Sequence, residues 1–148
     1  VYQSKALAER VDFLSVGSND LTQYLLAVDR NNAQVANLYS SFHPTVLQAL
    51  MQIVERAHGA KKKVSICGEM AGNPVAVVLL MAMGFDALSM SANNLLRVKW
   101  VIRTFSMRKA KKLLKEALSM ENVAHIRKLL ERALIEAGLG GLVRPGKR

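Results

Sequence analysis

Three short apolar runs, each closed by small or polar residues and each followed by a helical pattern, restrict this chain's fold more than any other feature. Residues 11–16 (VDFLSV), 64–67 (VSIC) and 87–90 (ALSM) read as strands. After the first, residues 17–20 (GSND) break the run, residues 21–28 form an apolar segment with Thr22, Gln23 and Tyr24 embedded, and residues 29–32 (DRNN) make a polar loop. His43-Pro44 then opens a helix with Leu47, Leu50, Met51, Val54 and Ala57 on one face, Gly59 as its stop and a basic turn at residues 61–63. After the second run, Asn73-Pro74 reads as an N-cap with a first-turn proline, and residues 74–83 are apolar all round until Gly84. After the third, Ser91 is a candidate N-cap for a helix over residues 94–105 that faces Leu95, Val98, Val101 and Ile102 inward. Strand followed by helix, three times over, implies an α/β fold of parallel strands with crossover helices. Both an open doubly wound sheet and part of a barrel satisfy that pattern.

The flanks are helical. Residues 1–10 read as the end of a helix, and two helices after residue 105 take Ser106 and Ser119 as N-caps. Ala110, Leu113, Leu114, Ala117 and Leu118 stripe one, and Val123, Ile126, Leu129, Leu130, Ala133 and Leu134 the other, as in an antiparallel pair. Gly138, Gly140 and Gly141 end the helical region, leaving residues 144–148 as a loose tail. The organisation expected is strand-helix units over residues 1–105 and a helical pair with a basic tail over residues 106–148.

Composition excludes several classes. A 148-residue chain that is 51% hydrophobic is one ordinary domain or a piece of a larger one, and is not disordered. The longest apolar run, residues 75–83, is nine residues, too short to span a membrane. The single cysteine cannot form an internal disulfide, and with no secretory signal pattern the expected location is cytoplasmic. Charge is segregated: residues 1–96 carry seven basic and seven acidic side chains, residues 97–148 fourteen and four. The net +10 therefore belongs to the C-terminal helices. With no aromatics interleaved for base stacking, a solvated helix face explains it better than nucleic-acid binding.

In parallel α/β folds the chemistry gathers at the carboxyl ends of the strands. Those ends lead here into residues 17–20, 67–73 and 90–94. Asp20 offers a hard carboxylate for a cation such as Mg²⁺, Asn19 a neutral amide, Arg30 a planar fork for phosphate and Cys67 an exchangeable proton. Together they suit a small phosphorylated anion. Each also has a structural reading: Asn19 and Asp20 as turn or cap residues, Arg30 as a surface partner of Asp29, Cys67 as a core thiol, and Glu69 as a structural hydrogen-bonding group. His43 reads as a cap, and no histidine is assigned to catalysis.

Residues 17–30 (GSNDLTQYLLAVDR), His43-Pro44, residues 67–72 (CGEMAG) and residues 88–91 (LSMS), in that order, closely resemble the C-terminal end of the phosphoenolpyruvate-protein phosphotransferases, the enzyme I family. Residues 138–144 (GLGGLVR) with residues 29–32 are most similar to its nitrogen-regulatory branch. The resemblance implies a phosphoenolpyruvate (PEP)-binding (β/α)8 TIM barrel, of which this chain supplies the C-terminal portion, about three βα units followed by two helices. A whole barrel needs about 250 residues. It further implies that Asp20 binds Mg²⁺, that Asn19 and Arg30 contact PEP, and that Cys67 is the proton donor that turns the enolate into pyruvate. The phosphorylated histidine and the second carboxylate metal ligand would lie upstream of this chain. The implied partners are a phosphocarrier protein of the HPr type and a second copy, through a homodimer of the barrel domain. Two other readings stand beside it: a pyruvate, phosphate dikinase or PEP synthase barrel, and a non-catalytic dimerisation module.

Overall fold

The structure, a computed structural model, describes residues 1–143; the tail expected at residues 144–148 lies outside them. Strands β1 (Phe13–Gly17), β2 (Lys63–Cys67) and β3 (Ala87–Leu88) form one sheet in the order β1-β2-β3. Both pairings are parallel, with Leu14 opposite Val64, Val16 opposite Ile66 and Gly17 opposite Cys67. Seven α-helices accompany them among the described residues: α1 (Ser4–Ala8), α2 (Ser18–Leu26), α3 (Pro44–Gly59), α4 (Pro74–Met83), α5 (Ala92–Thr104), α6 (Met107–Leu118) and α7 (Val123–Glu136). The expected alternation is present, and none of these helices is long and apolar enough to cross a membrane.

The sheet is covered on one face only. Val16, Val64 and Ile66 are buried there, beneath α3 and α4, while Phe13, Ser15, Lys63 and Ala87 on the alternate positions are exposed. A two-residue period sends successive side chains to opposite faces, so Cys67 shares the open face with Lys63 and Ser65. Helix α4 is the centre of the core. Eight of its ten residues are buried, among them Leu79 and Leu80 at full burial, each stabilising by roughly 1.5–3 kcal/mol. It packs against α5, α6 and α7, so the C-terminal helices share the core beneath the sheet.

Several helix ends are as expected. His43 Nδ1 accepts from the Thr45 N–H at 3.2 Å ahead of Pro44, Asn73 Oδ1 accepts from the Val75 N–H at 2.9 Å ahead of Pro74, and Ser106 Oγ accepts from the Lys109 N–H at 3.2 Å. Others differ. Ser119 is the C-terminal cap of α6, and the N-cap of α7 is Asn122, whose Oδ1 accepts from the Ala124 N–H at 2.8 Å. Gly59 stays helical, and the left-handed residue after α3 is Lys61, at φ 57°. Helix α2 starts at Ser18, directly after β1, so the expected loop at residues 17–20 is largely a helix's first turn. Strand β3 ends at Leu88 and α5 begins at Ala92. Only Val98 and Val101 of α5 are buried; Leu95 and Ile102, expected inward, are exposed because they border an open cleft beside the outer strand β3, with Phe85 and Leu88 across it.

Asp86, just before β3, extends the sheet with its side chain. Its backbone N–H donates to the Val64 carbonyl at 2.9 Å, its Oδ2 accepts from the Val64 N–H at 2.8 Å, and His58 of α3 lies 3.0 Å from the same oxygen. The Val64 hydrogen bond, then His58, hold its carboxyl below the usual aspartate range. A lowered folded-state pKa contributes stability above the unfolded value, lost as pH falls through the folded one. Asp86→Ala is therefore expected to lower stability by about 1–2 kcal/mol at neutral pH, since it leaves a buried N–H unpaired. Denaturation midpoints of parent and variant should draw together as pH falls below about 4. A gap that persists unchanged at pH 2–3 would contradict this.

Candidate active site

At the carboxyl ends of the strands lies an open cleft of about 400 Å³, lined by Asn19, Cys67, Gly68, Glu69, Gly72, Ser89, Met90, Ser91 and Asn94. All three segments expected to leave the strand ends contribute to it. Cys67, half-buried, is the last residue of β2. Asn19 is in the first turn of α2, two residues beyond Gly17, which stands opposite Cys67 in the parallel β1-β2 pair.

The first turn of α2 is fastened to β2 by Ser18, a buried hydroxyl that donates to the Cys67 carbonyl at 2.7 Å. Thr22, one turn on and also buried, donates back to the Ser18 carbonyl at 2.7 Å. Gly68 follows at φ 96°, ψ −171°, a conformation essentially confined to glycine. A Cβ there would come 2.5 Å from Ser18 Oγ and 3.2 Å from Asn19 Oδ1. A Cβ on Gly72 would meet Asn94 Nδ2 at 2.6 Å. These two glycines let the 3-10 turn Glu69–Gly72 lie close to α2 and to α5, which narrows the cleft around Cys67.

The turn also carries the polar contacts. The Glu69 N–H donates to Asn19 Oδ1 at 3.3 Å, and Tyr39 Oη donates to the same oxygen at 3.3 Å. The Glu69 carboxylate accepts from Arg30 Nη1 at 2.9 Å, an ion pair between two partly exposed groups. Such a pair adds little to stability, and it sets the guanidinium beside the turn. Arg30 therefore pairs with Glu69, not with Asp29, whose Oδ1 accepts instead from the Asn31 N–H at 2.8 Å. Asn19 and Cys67 thus share the cleft, and Arg30 is tied to its rim through Glu69.

Asp20 stands apart. It is exposed, one residue beyond Asn19 on α2, and its carboxylate turns back toward Gly17 at the end of β1 instead of lining the cleft. It has no hydrogen-bond or ion-pair partner among the described residues, where no group of three or more metal-ligating side chains occurs. A free hard carboxylate beside a strand end fits one ligand position of Mg²⁺, which takes one or two carboxylates and completes its shell with water and substrate phosphate.

Sequence reasoning missed Tyr39, half-buried in the connection between α2 and α3. Burial pushes its phenol up from its ordinary pKa, with the Thr22 hydroxyl pulling the other way. The basic charge lies elsewhere. A cleft of about 670 Å³ between α6 and α7 is lined by Arg108, Lys109, Lys112 and Arg132, and includes none of the expected site residues. Volume alone does not mark the chemistry.

Residues 1–107 match the family described as "PEP-utilising enzyme, PEP-binding domain". The chain is 41% and 42% identical, each over 146 residues, to proteins of Salmonella typhimurium and Escherichia coli named "Phosphoenolpyruvate-dependent phosphotransferase system". These alignments cover 99% of this chain and 20% of each relative. With a Haemophilus influenzae protein named "Phosphoenolpyruvate-protein phosphotransferase" the identity is 44% over 136 residues, 92% of this chain and 24% of the relative. The chain therefore spans about a fifth to a quarter of the length of these curated relatives.

Proposed function

Because this chain belongs to the PEP-utilising enzymes through their PEP-binding domain, we propose that it is the C-terminal part of a PEP-protein phosphotransferase and that the cleft around Cys67 receives PEP. The observation that carries this reading is the convergence of Asn19 and Cys67 on one opening at the carboxyl ends of parallel strands, with Arg30 paired to Glu69 at its rim. The relatives' names favour the phosphotransferase over the dikinase reading. The barrel reading is favoured over a doubly wound one because helices cover one face of the sheet and the other is left open. Two open strand edges, β1 and β3, each beside an apolar cleft, are where further barrel strands would pair. Residues 1–105 would then be the last barrel units and residues 106–148 the appended helices and basic tail.

In this reading Asn19 donates through its amide to the bound anion, while Arg30 faces the phosphoryl group and balances its charge. Asp20 would hold Mg²⁺, which when bound supplies positive charge to the phosphate oxygens. The P–O bond of PEP breaks as a P–N bond forms to a histidine on another domain of the intact enzyme. That leaves enolpyruvate, whose methylene carbon takes the proton of Cys67 Sγ; pyruvate leaves and the thiolate is reprotonated from solvent. The phosphohistidine passes its group to a phosphocarrier protein of the HPr type. A homodimer through the barrel domain and membership of the nitrogen-regulatory branch complete the proposal.

Calorimetric titration of the intact enzyme with PEP, with and without Mg²⁺, tests the reading. Binding should require Mg²⁺, and Asp20→Ala should weaken it about tenfold or more, the loss of one charged ligand contact. PEP binding indifferent to both would remove Asp20 from the site.

A further inference from the structure

We propose that Tyr39 is a positioning residue for Asn19: with the Glu69 backbone N–H it holds the Asn19 amide oxygen, so that the amide NH2 is the group offered to an anion in the cleft. This rests on the reading of that cleft as the PEP site.

The backbone N–H of Glu69 can only donate, so the Asn19 atom facing it at 3.3 Å must be the oxygen. Tyr39 Oη approaches the same oxygen at 3.3 Å. Its upward-shifted phenol stays protonated at neutral pH and donates as well. Two donors use both lone pairs of one carbonyl oxygen. The opposite amide orientation would set the NH2 against the Glu69 N–H, which cannot accept, so the arrangement has one stable sense. Asn19 Nδ2 makes no hydrogen bond among the described residues, and Asn19 lines the cleft beside Cys67. A neutral donor is thereby kept ready before an anion arrives, which lowers the ordering cost of binding.

The same turn fixes the charged donor. Glu69 holds Asn19 through its backbone and Arg30 through its carboxylate at 2.9 Å. Tyr39 reaches this point from the end of the 3-10 turn Ala36–Leu38, outside every strand-end segment. The route by which it would act on an anion is its hydrogen bond to Asn19.

A double-mutant cycle on the intact enzyme tests this, with PEP affinity in saturating Mg²⁺ measured for the parent, Tyr39→Phe, Asn19→Ala and the pair. Tyr39→Phe should weaken PEP binding about fivefold, the loss of one neutral hydrogen bond. In the Asn19→Ala background the same change should cost less than about twofold. A similar loss in both backgrounds would overturn the proposal by showing that Tyr39 acts on the fold or directly on the ligand. So would a loss in Asn19→Ala with none in Tyr39→Phe. If Asn19→Ala itself leaves PEP affinity unchanged, the binding role of Asn19 fails and the inference fails with it.

Discussion

Cys67→Ala in the intact enzyme is expected to lower the rate of pyruvate formation by about 10²–10⁴-fold, the range associated with loss of a positioned proton donor. The expectation follows from where the thiol stands. Cys67 ends β2 on the open face of the sheet and lines the cleft with Asn19. A bound anion held by Asn19 and Arg30 would lie against it. PEP affinity should change only a few-fold, because the thiol carries no charge needed to hold the substrate. Cys67→Ser separates chemistry from packing: the hydroxyl fits the same space but is a far weaker acid, so this variant should be nearly as slow. Full activity in Cys67→Ser with loss in Cys67→Ala would point to a packing role. A rate within about threefold of the parent in both would take Cys67 out of the mechanism.

The second large effect is expected at Gly68. Alanine there must adopt φ 96°, ψ −171° and place its Cβ 2.5 Å from Ser18 Oγ. Ser18 cannot simply turn away without giving up its 2.7 Å hydrogen bond to the Cys67 carbonyl. Backbone strain and the lost bond together should cost about 2–4 kcal/mol, a fall in Tm of roughly 5–12 °C. PEP binding should fail as well, because Asn19 Oδ1 stands in the same path at 3.2 Å. Gly59→Ala is the matched control. Gly59 is helical with nothing within 4 Å of the added methyl, so this change should stabilise by about 0.5–1 kcal/mol. Equal thermal behaviour of the two variants would contradict the account of the turn.

What could be read from the sequence was what local chemistry determines. The run at residues 64–67 followed by Gly68 located Cys67 at a strand end, and Asn73 and His43 were legible as caps because proline follows each. The strand-helix order gave the parallel sheet. Contacts distant in sequence were not legible. Glu69 and Arg30 are 39 residues apart, and Tyr39 and Asn19 20 residues apart, so no spacing rule brings either pair together. The Ser119 error has another cause: two cap-forming residues stand three apart, and only the end of α6 decides between them. Leu95 and Ile102 match a buried helical stripe, but how much of that stripe is covered depends on what lies beyond β3.

The central claim is that PEP occupies the cleft beside Cys67. Alkylation of that thiol by iodoacetamide, followed on its own peptide by mass spectrometry, reads the occupancy directly. With Mg²⁺ and PEP at concentrations that saturate turnover, the rate at Cys67 should fall about tenfold or more, and Asp20→Ala should lose most of that protection. An alkylation rate unchanged by saturating PEP would mean that the substrate binds elsewhere.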